Sequence, residues 1–504
     1  MGGPWVEALT NALSPQVLLP LATGVAVGLV GGAIPGITIT LTVILVLPFT
    51  FGMDPLQGLA TMIGVYVGGE SGGLITSTLL GIPGKPSAIA TTFDGYPMTK
   101  RGEPGRAVWL GIWAGLLGGL LAGVPLVAGA VILATLALSF GPWEYFSLFV
   151  LTLSIVSGLS ERSLVKGLLS AAVGLLVTVV GSDPMMGVPR FTFGADFLRS
   201  GFPFLAVLTG VYAFAQLMAE IERQAGQSAG LMPARTINLS VSHLRVIGEI
   251  LGQWGNLVRS TLVGLWIGIL PAVGGSAANI LAYDQAKKAS RHPEKFGTGI
   301  PDGIIASESS NNANIAGSLI TMMAFGIPGD AVTAVMLGAL IIHGIQPGPL
   351  FVSSHPHLAY GLFAAYFIAT IITVPIEAGL LRVAIRVVTA PLHVLVPIIL
   401  VLATVGTYAL NNLMANVWAF FFFGILGYLM VKADFPLAPL ILGVILGDLI
   451  EINLIRALMT ESNLWLFLTR PISGVMLVLA VGSFLLGVYQ MRRQPQAEPA
   501  GGAE

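Results

Sequence analysis

Residues 72–87 read GGLITSTLLGIPGKPS and residues 317–330 read GSLITMMAFGIPGD, so Leu-Ile-Thr followed by Gly-Ile-Pro-Gly returns 245 positions later. Each copy is an apolar run closed by Gly-x-Pro-Gly, the pattern of a helix that stops abruptly. Proline removes a backbone donor, and glycine tolerates non-helical dihedrals. Two such stops, one in each half of an apolar chain, predict a duplicated membrane transporter with its site between the halves.

Composition supports that class. Of 504 residues, 55% are hydrophobic and 9% charged, against about 25% charged in soluble domains; mean hydropathy is +0.87. Apolar runs near the roughly 20 residues that cross a lipid bilayer recur from end to end, which predicts an all-α polytopic membrane protein. A transmembrane barrel would show short alternating segments instead. The absence of cysteine excludes disulfides, iron–sulfur clusters and cysteine–zinc sites, and no cofactor is expected. A net charge of −1 gives no case for nucleic acid. The start, MGGPWVEALT, lacks the basic opening of a cleavable signal peptide. Sixty-four glycines and thirty-one prolines suit close helix packing and broken helices.

Along the chain, residues 17–50 exceed one untilted span and are interrupted by GGAIPG at 31–36, as a broken helix or a tight pair. Residues 56–81 carry Tyr66, Glu70 and Ser71 at their middle. A polar turn is expected at 94–106, then spans near 106–139, 143–159, 164–181 and 201–221. Residues 222–245 read as a cytoplasmic linker between a first membrane repeat, 1–221, and a second, 246–490. The second repeat opens at 264–280, where GLWIGILPA matches GLVGGAIPG at 28–36. A charged excursion at 284–299, a broken segment at 311–329 and a polar turn at 343–357 follow. Five more spans are expected near 357–386, 391–410, 412–431, 435–453 and 470–489, then a disordered tail at 491–504. The total is about 10–12 membrane segments.

Basic residues orient the halves. Lys100, Arg101 and Arg106 place the turn after the first Gly-Ile-Pro-Gly in the cytoplasm, whereas its counterpart HGIQPGPLFVSSHPH has no lysine or arginine. Lys287, Lys288, Arg291 and Lys295 sit inside, whereas LPFTFGMDP has none. Equivalent loops on opposite faces are expected of inverted-topology repeats, each with a broken or re-entrant hairpin at its Gly-Ile-Pro-Gly.

A helix that ends in mid-membrane leaves backbone groups unpaired, and these must face protein or a water-filled site. The restarting helix points the positive end of its dipole there, which suits a carboxylate. Candidate substrate-binding residues are therefore Ser71, Thr76, Ser77, Gly81, Pro83, Gly84, Lys85 and Ser87 around the first break. Thr321, Gly326, Pro328 and Gly329 flank the second. Any one hydroxyl could instead bond back to its own helix, and Lys85 could instead snorkel to an interface. Glu70, Glu308, Asn311, Asn312, Asn314 and Asp330 are coupling-ion candidates, since carboxylate and carboxamide oxygens suit a hard cation and an intramembrane carboxylate a proton. The run at 308–314 could equally be a loop at the membrane edge, and Asp330 a helix cap. The working division assigns substrate to the first break and the ion to the second.

These stretches resemble the large membrane subunit of tripartite tricarboxylate transporters, the TctA family. The resemblance rests on GGLITSTLLGIPGKPSAIATTFDGYPMTKRG, on ESSNNANIAGSLITMMAFGIPGDAVTAVMLGALIIHGIQPGP and on LPAVGGSAANILAYDQAKKASRHPEKFGTG. It implies a permease of the cytoplasmic membrane working with a small four-helix membrane subunit and an extracytoplasmic solute-binding protein that delivers a carboxylate substrate. It also implies a sodium or proton gradient as the energy source. The family usually has threonine where this chain has Lys85, which bears on the substrate. GIPGKPS has too short a glycine spacing for a Walker A loop. The alternatives are a stand-alone carboxylate symporter and, more remotely, an intramembrane aspartyl protease built on Asp284 and Asp330.

Overall fold

The computed structural model describes residues 4–158, 163–225, 239–387 and 392–493, most of them helical. The first half holds α1 Pro4–Ala12, α2 Pro15–Ala33, α3 Ile39–Thr50, α4 Pro55–Leu79, α5 Ile89–Lys100 and α6 Pro104–Ala137. It continues with α7 Pro142–Gly158, α8 Leu164–Val179, α9 Phe204–Thr209 and α10 Ala215–Ala225. The second half holds α11 His243–Gly252, α12 Trp254–Ile269, α13 Gly274–Ala289, α14 Pro301–Phe325, α15 Ala331–Ile342 and α16 Pro349–Ser354. After these come α17 Pro356–Val387, α18 Leu392–Ala409, α19 Met414–Lys432, α20 Leu437–Thr460, α21 Leu466–Thr469 and α22 Pro471–Arg493.

Among the described residues, seven helical stretches are long and apolar enough to cross a membrane: α2, α6, the α9–α10 stretch, α17, α19, α20 and α22. Four shorter apolar helices, at α3, α8, α15 and in α18, accompany them. The 25-residue α4 and α14 are also long enough to span, but their centres are polar. The expected all-α polytopic fold is what the chain forms. Outward side chains such as Trp418 and Val478, each 67% exposed, provide the apolar surface that lipid requires.

Local chemistry sets the helix ends. Asp54 caps α4 in a capping box with Gln57, and Pro55 occupies the first turn. Residues 17–50 resolve as the pair α2 and α3, separated by a turn at 34–38. The turn expected at 94–106 is corrected: α5 runs on to Lys100, because Asp94 is fully buried and bonded rather than solvated. Likewise α13 carries six residues of the charged 284–299 excursion before the chain leaves the helix. α22 continues to Arg493, whereas 494–504 of the expected tail and 226–238 of the expected linker lie outside the described residues.

Two compact units emerge: Met1–Leu138 with Leu205–Ile425, and Ser139–Phe204 with Leu426–Glu504. Each takes segments from both halves, so the units cut across the division at 222–245. In the second, Gly174 of α8 meets Gly443 of α20 at a close crossing, and Arg470 Nε donates to the buried Glu144 at 2.6 Å.

In the first unit, α2 crosses α4 and α12 crosses α14 backbone to backbone. A Cβ on Gly28 would strike the Val65 carbonyl, one on Gly32 the Gly69 carbonyl, and one on Gly72 the Leu29 carbonyl. In the second half, Gly264 meets Ser310, Gly268 meets Asn314 and Gly317 meets Leu265 in the same way. Val65, Gly69 and Gly72 become Ser310, Asn314 and Gly317 on shifting by 245, so the copies share helix contacts as well as a motif. Glycine is needed because tight van der Waals approach, not hydrophobicity, holds helices together in lipid. The long α6 packs on α14 and the long α17 on α4, so each half covers the other half's broken helix.

Candidate functional site

Both broken helices end on a left-handed glycine: Gly81 follows α4 with φ +70° and Gly326 follows α14 with φ +69°. Gly84 and Gly329 then seat each return loop against the preceding helix pair. A Cβ on either would press on the carbonyl of Gly32 or Gly268 respectively. The restarts differ. Asp330 caps α15, accepting from Thr333 N at 2.8 Å and from its hydroxyl. Lys85, at the equivalent position, precedes a short turn at Pro86–Ala88 without capping it.

Lys85 reaches back into the protein instead. Its ammonium forms an ion pair with the Glu70 carboxylate, both side chains at most 5% exposed, and donates to the Glu70 carbonyl at 2.6 Å. Ser87 Oγ donates to the same carboxylate at 3.1 Å. Asn311 Nδ2, from the other half, donates to the Glu70 carbonyl at 3.2 Å. Gly275, in the first turn of α13, faces this group, since a Cβ there would lie 3.0 Å from Ser87 Cβ and 3.6 Å from Glu70 Oε1. In the reciprocal direction Tyr66 of α4 donates to Asp330, which also accepts from Ser318 at 3.4 Å. Asp330 at the second break thus bonds to the first half's broken helix, and the two broken helices bond to each other through Asn311 and Glu70.

A second layer lies alongside. Thr91 of α5 donates to the buried Glu308 and to Ser307 at 3.1 Å. Asn279 of α13 accepts from Ala90 N at 2.8 Å and donates to the Ser307 carbonyl at 3.2 Å. Asp94 accepts from the backbone of Gly297, Gly299 and Ile300 at 3.0, 2.7 and 3.0 Å, and from the Tyr283 hydroxyl at 2.8 Å. It thereby pins the loop that leads into α14.

The run at 308–314 lies in mid-helix and is buried, not at a loop. Asn312 donates to its own helix at Glu308 O, while Asn311 Oδ1 and both polar side-chain atoms of Asn314 have no hydrogen-bond partner among the described residues. Of the hydroxyls, Thr76, Thr78 and Thr321 bond back to their own helices. Ser77 crosses the break to the Ala88 carbonyl at 3.1 Å, and Ser71 is buried on α4. Gly326, Pro328 and Gly329 are buried, whereas Gly81 is half-buried and Pro83 exposed. Glu70 and Lys85, assigned above to different ligands, are each other's partner. The aspartates of the protease alternative are engaged separately, Asp284 with Lys288 on an exposed face and Asp330 as the α15 cap.

Sequence reasoning passed over Thr91, Asp94, Asn279 and Glu377. Glu377 had a legible signal, a lone carboxyl in the apolar run ITVPIEAGLL, since an ionisable residue inside a span is rare and costly. It is fully buried on α17, and neither oxygen has a hydrogen-bond partner among the described residues. Glu70, Glu308 and Glu377 lie within electrostatic reach of the Lys85 ammonium, and Asp330 within reach of Glu70.

The sequence model of the tripartite tricarboxylate transporter TctA family matches residues 18–442. An uncharacterised 52.8 kDa protein in the TAR-I ttuC' 3' region of Agrobacterium vitis is 34% identical over 479 residues, covering 95% of this chain and 94% of that protein. An uncharacterised protein in the TAR-II ttuC' 3' region of the same organism is 34% identical over 226 residues, covering 45% of this chain and 93% of its own length. No solved structure matches.

Proposed function

Because the chain belongs to the tripartite tricarboxylate transporter TctA family, as a multi-pass membrane subunit, we propose that it imports carboxylates, citrate or related organic acids, by cation-coupled alternating access. A small four-helix membrane subunit and an extracytoplasmic solute-binding protein complete the system in the cytoplasmic membrane. The observation that carries this reading is the charge balance at the first break: one buried ammonium, Lys85, already paired with Glu70 and with the Glu308 carboxyl also in its electrostatic reach. An anionic substrate cannot enter such a group unaided, because like charges in a poorly solvated site repel strongly. Entry becomes favourable when a sodium ion or proton neutralises a carboxylate and frees Lys85 to meet the substrate. Coupling then follows from electrostatics. The reciprocal bonds Tyr66–Asp330 and Asn311–Glu70 support a site shared by both breaks, in place of an anion half and a cation half. Repeats of opposite topology, favoured by the basic loops, would let the two breaks approach from opposite faces.

The test is uptake into proteoliposomes holding this chain with its small subunit, the binding protein outside, under separately imposed sodium and proton gradients. Accumulation of a di- or tricarboxylate that requires both the binding protein and a cation gradient is the expected result. Accumulation without any gradient, or none for any carboxylate under either gradient, would reject the reading.

A further inference from the structure

We propose that Glu377 is the proton-carrying group of this transporter: it holds a proton while the site is closed to water and gives it up when the site opens. This rests on the cation-coupled reading above and commits its coupling ion to a proton at one residue.

The case begins with surroundings. Glu377 has no exposed surface, and both carboxyl oxygens lack a partner among the described residues. Val374 and Leu381, a turn to either side on the same helix face, pack in the apolar cluster that includes Ala33, Leu74, Leu110 and Ala114. An ionised carboxylate in such a place costs far more than a neutral one, because nothing solvates the charge. Pairing could offset that cost, but the cation in electrostatic reach, Lys85, is bound to Glu70, and the other charged neighbour is the carboxyl of Glu308.

The elements packed on α17 offer no substitute. α2 and α16 carry no charged residue, and α4 brings only Glu70. α6 brings only Arg106, engaged by Glu103 and Glu249. Glu7 of α1 pairs with His357 at the start of α17, and Arg382 of α17 itself is exposed. In the conformation described, Glu377 is therefore a neutral acid. A buried carboxyl that is neutral when closed becomes an ordinary carboxylate once water reaches it. The carboxylate oxygen takes a proton from water on one side as the site closes over it, and releases that proton to water on the other side when the site opens there, so one proton moves per cycle.

Pro375, two residues before Glu377, lies inside the helix. Proline removes one backbone bond there, so α17 has a place to bend beside the carboxyl.

Two measurements on the full-length chain in lipid nanodiscs and proteoliposomes test this. Infrared difference spectra at neutral pH should show a protonated-carboxyl band that is lost in Glu377→Gln and in Glu377→Leu. The band needs no substrate, so it is read even if the carboxylate reading fails. Substrate-driven proton uptake, measured with the binding protein and small subunit present, should be lost in Glu377→Gln. Both variants should melt at or above the wild-type temperature, because a neutral acid in an apolar pocket contributes no ion pair. An unchanged band in both variants, or wild-type proton uptake in Glu377→Gln, would overturn the assignment. So would a marked drop in melting temperature on Glu377→Gln, which would show an ionised, paired carboxylate.

Discussion

Breaking the Lys85–Glu70 pair from one side should be far more damaging than removing it whole. Lys85→Met keeps the length of the stem and leaves Glu70 buried with the Ser87 hydroxyl as its remaining side-chain donor. Removing one partner of a buried pair costs about 3–5 kcal/mol. Glu70→Gln leaves the ammonium buried, with the Glu70 carbonyl still accepting from it, so its cost should fall at the lower end of that range. In the double variant no charge remains, and the Glu70 carbonyl still receives Asn311 Nδ2. A volume-conserving swap of that kind costs under about 1.5 kcal/mol. The sum of the singles should therefore exceed the double by at least about 3 kcal/mol. The assay is a double-mutant cycle of unfolding in lipid nanodiscs, repeated across pH. The Lys85→Met penalty should shrink as pH falls, because a protonated Glu70 needs no cation, and the double variant should show no such trend. Additive singles, with no pH dependence, would mean that the ammonium and carboxylate do not depend on each other and would refute the pairing.

The helix crossings make a matched prediction: Gly28→Ala and Gly264→Ala should each cost about 1–3 kcal/mol, because each methyl group meets a carbonyl of the partner helix. Gly255→Ala, which points into open space, should be neutral or slightly stabilising, and equal melting for all three variants would remove the shared-crossing argument. Asp94→Ala should cost at least about 3 kcal/mol, since it orphans the amides of Gly297, Gly299 and Ile300 at about 1–3 kcal/mol apiece. Hydrogen exchange at 297–300 should accelerate with it, and unchanged protection there would show that the loop is held by something else.

What the sequence made legible, and what it hid, divides along a physical line. The duplicated Gly-Ile-Pro-Gly announces itself because proline and glycine act on their own backbone, and such local effects are written in the chain wherever they occur. The spans are legible for the same reason, since apolar length is a local property. The pairing of Lys85 with Glu70 is not, because it depends on the chain turning at Gly81 through an angle that brings position 85 back beside position 70. Asp94 misled for a related reason. Amid DGYPMTKRGEPGR it looks like a solvated turn residue, yet its partners lie some two hundred residues on, at 297–300. Glu377 is the instructive case, for its signal was local and in plain view. A lone carboxyl in an apolar span has to be neutral, paired or exposed to water in a cavity, and the sequence alone does not choose among the three. Only the packing of α17, with Lys85 already taken and both oxygens unpartnered, leaves the neutral form. The substrate-first, ion-second division places residues by their order along the chain, whereas buried charges belong to whatever they touch, and Lys85 of the one set touches Glu70 of the other.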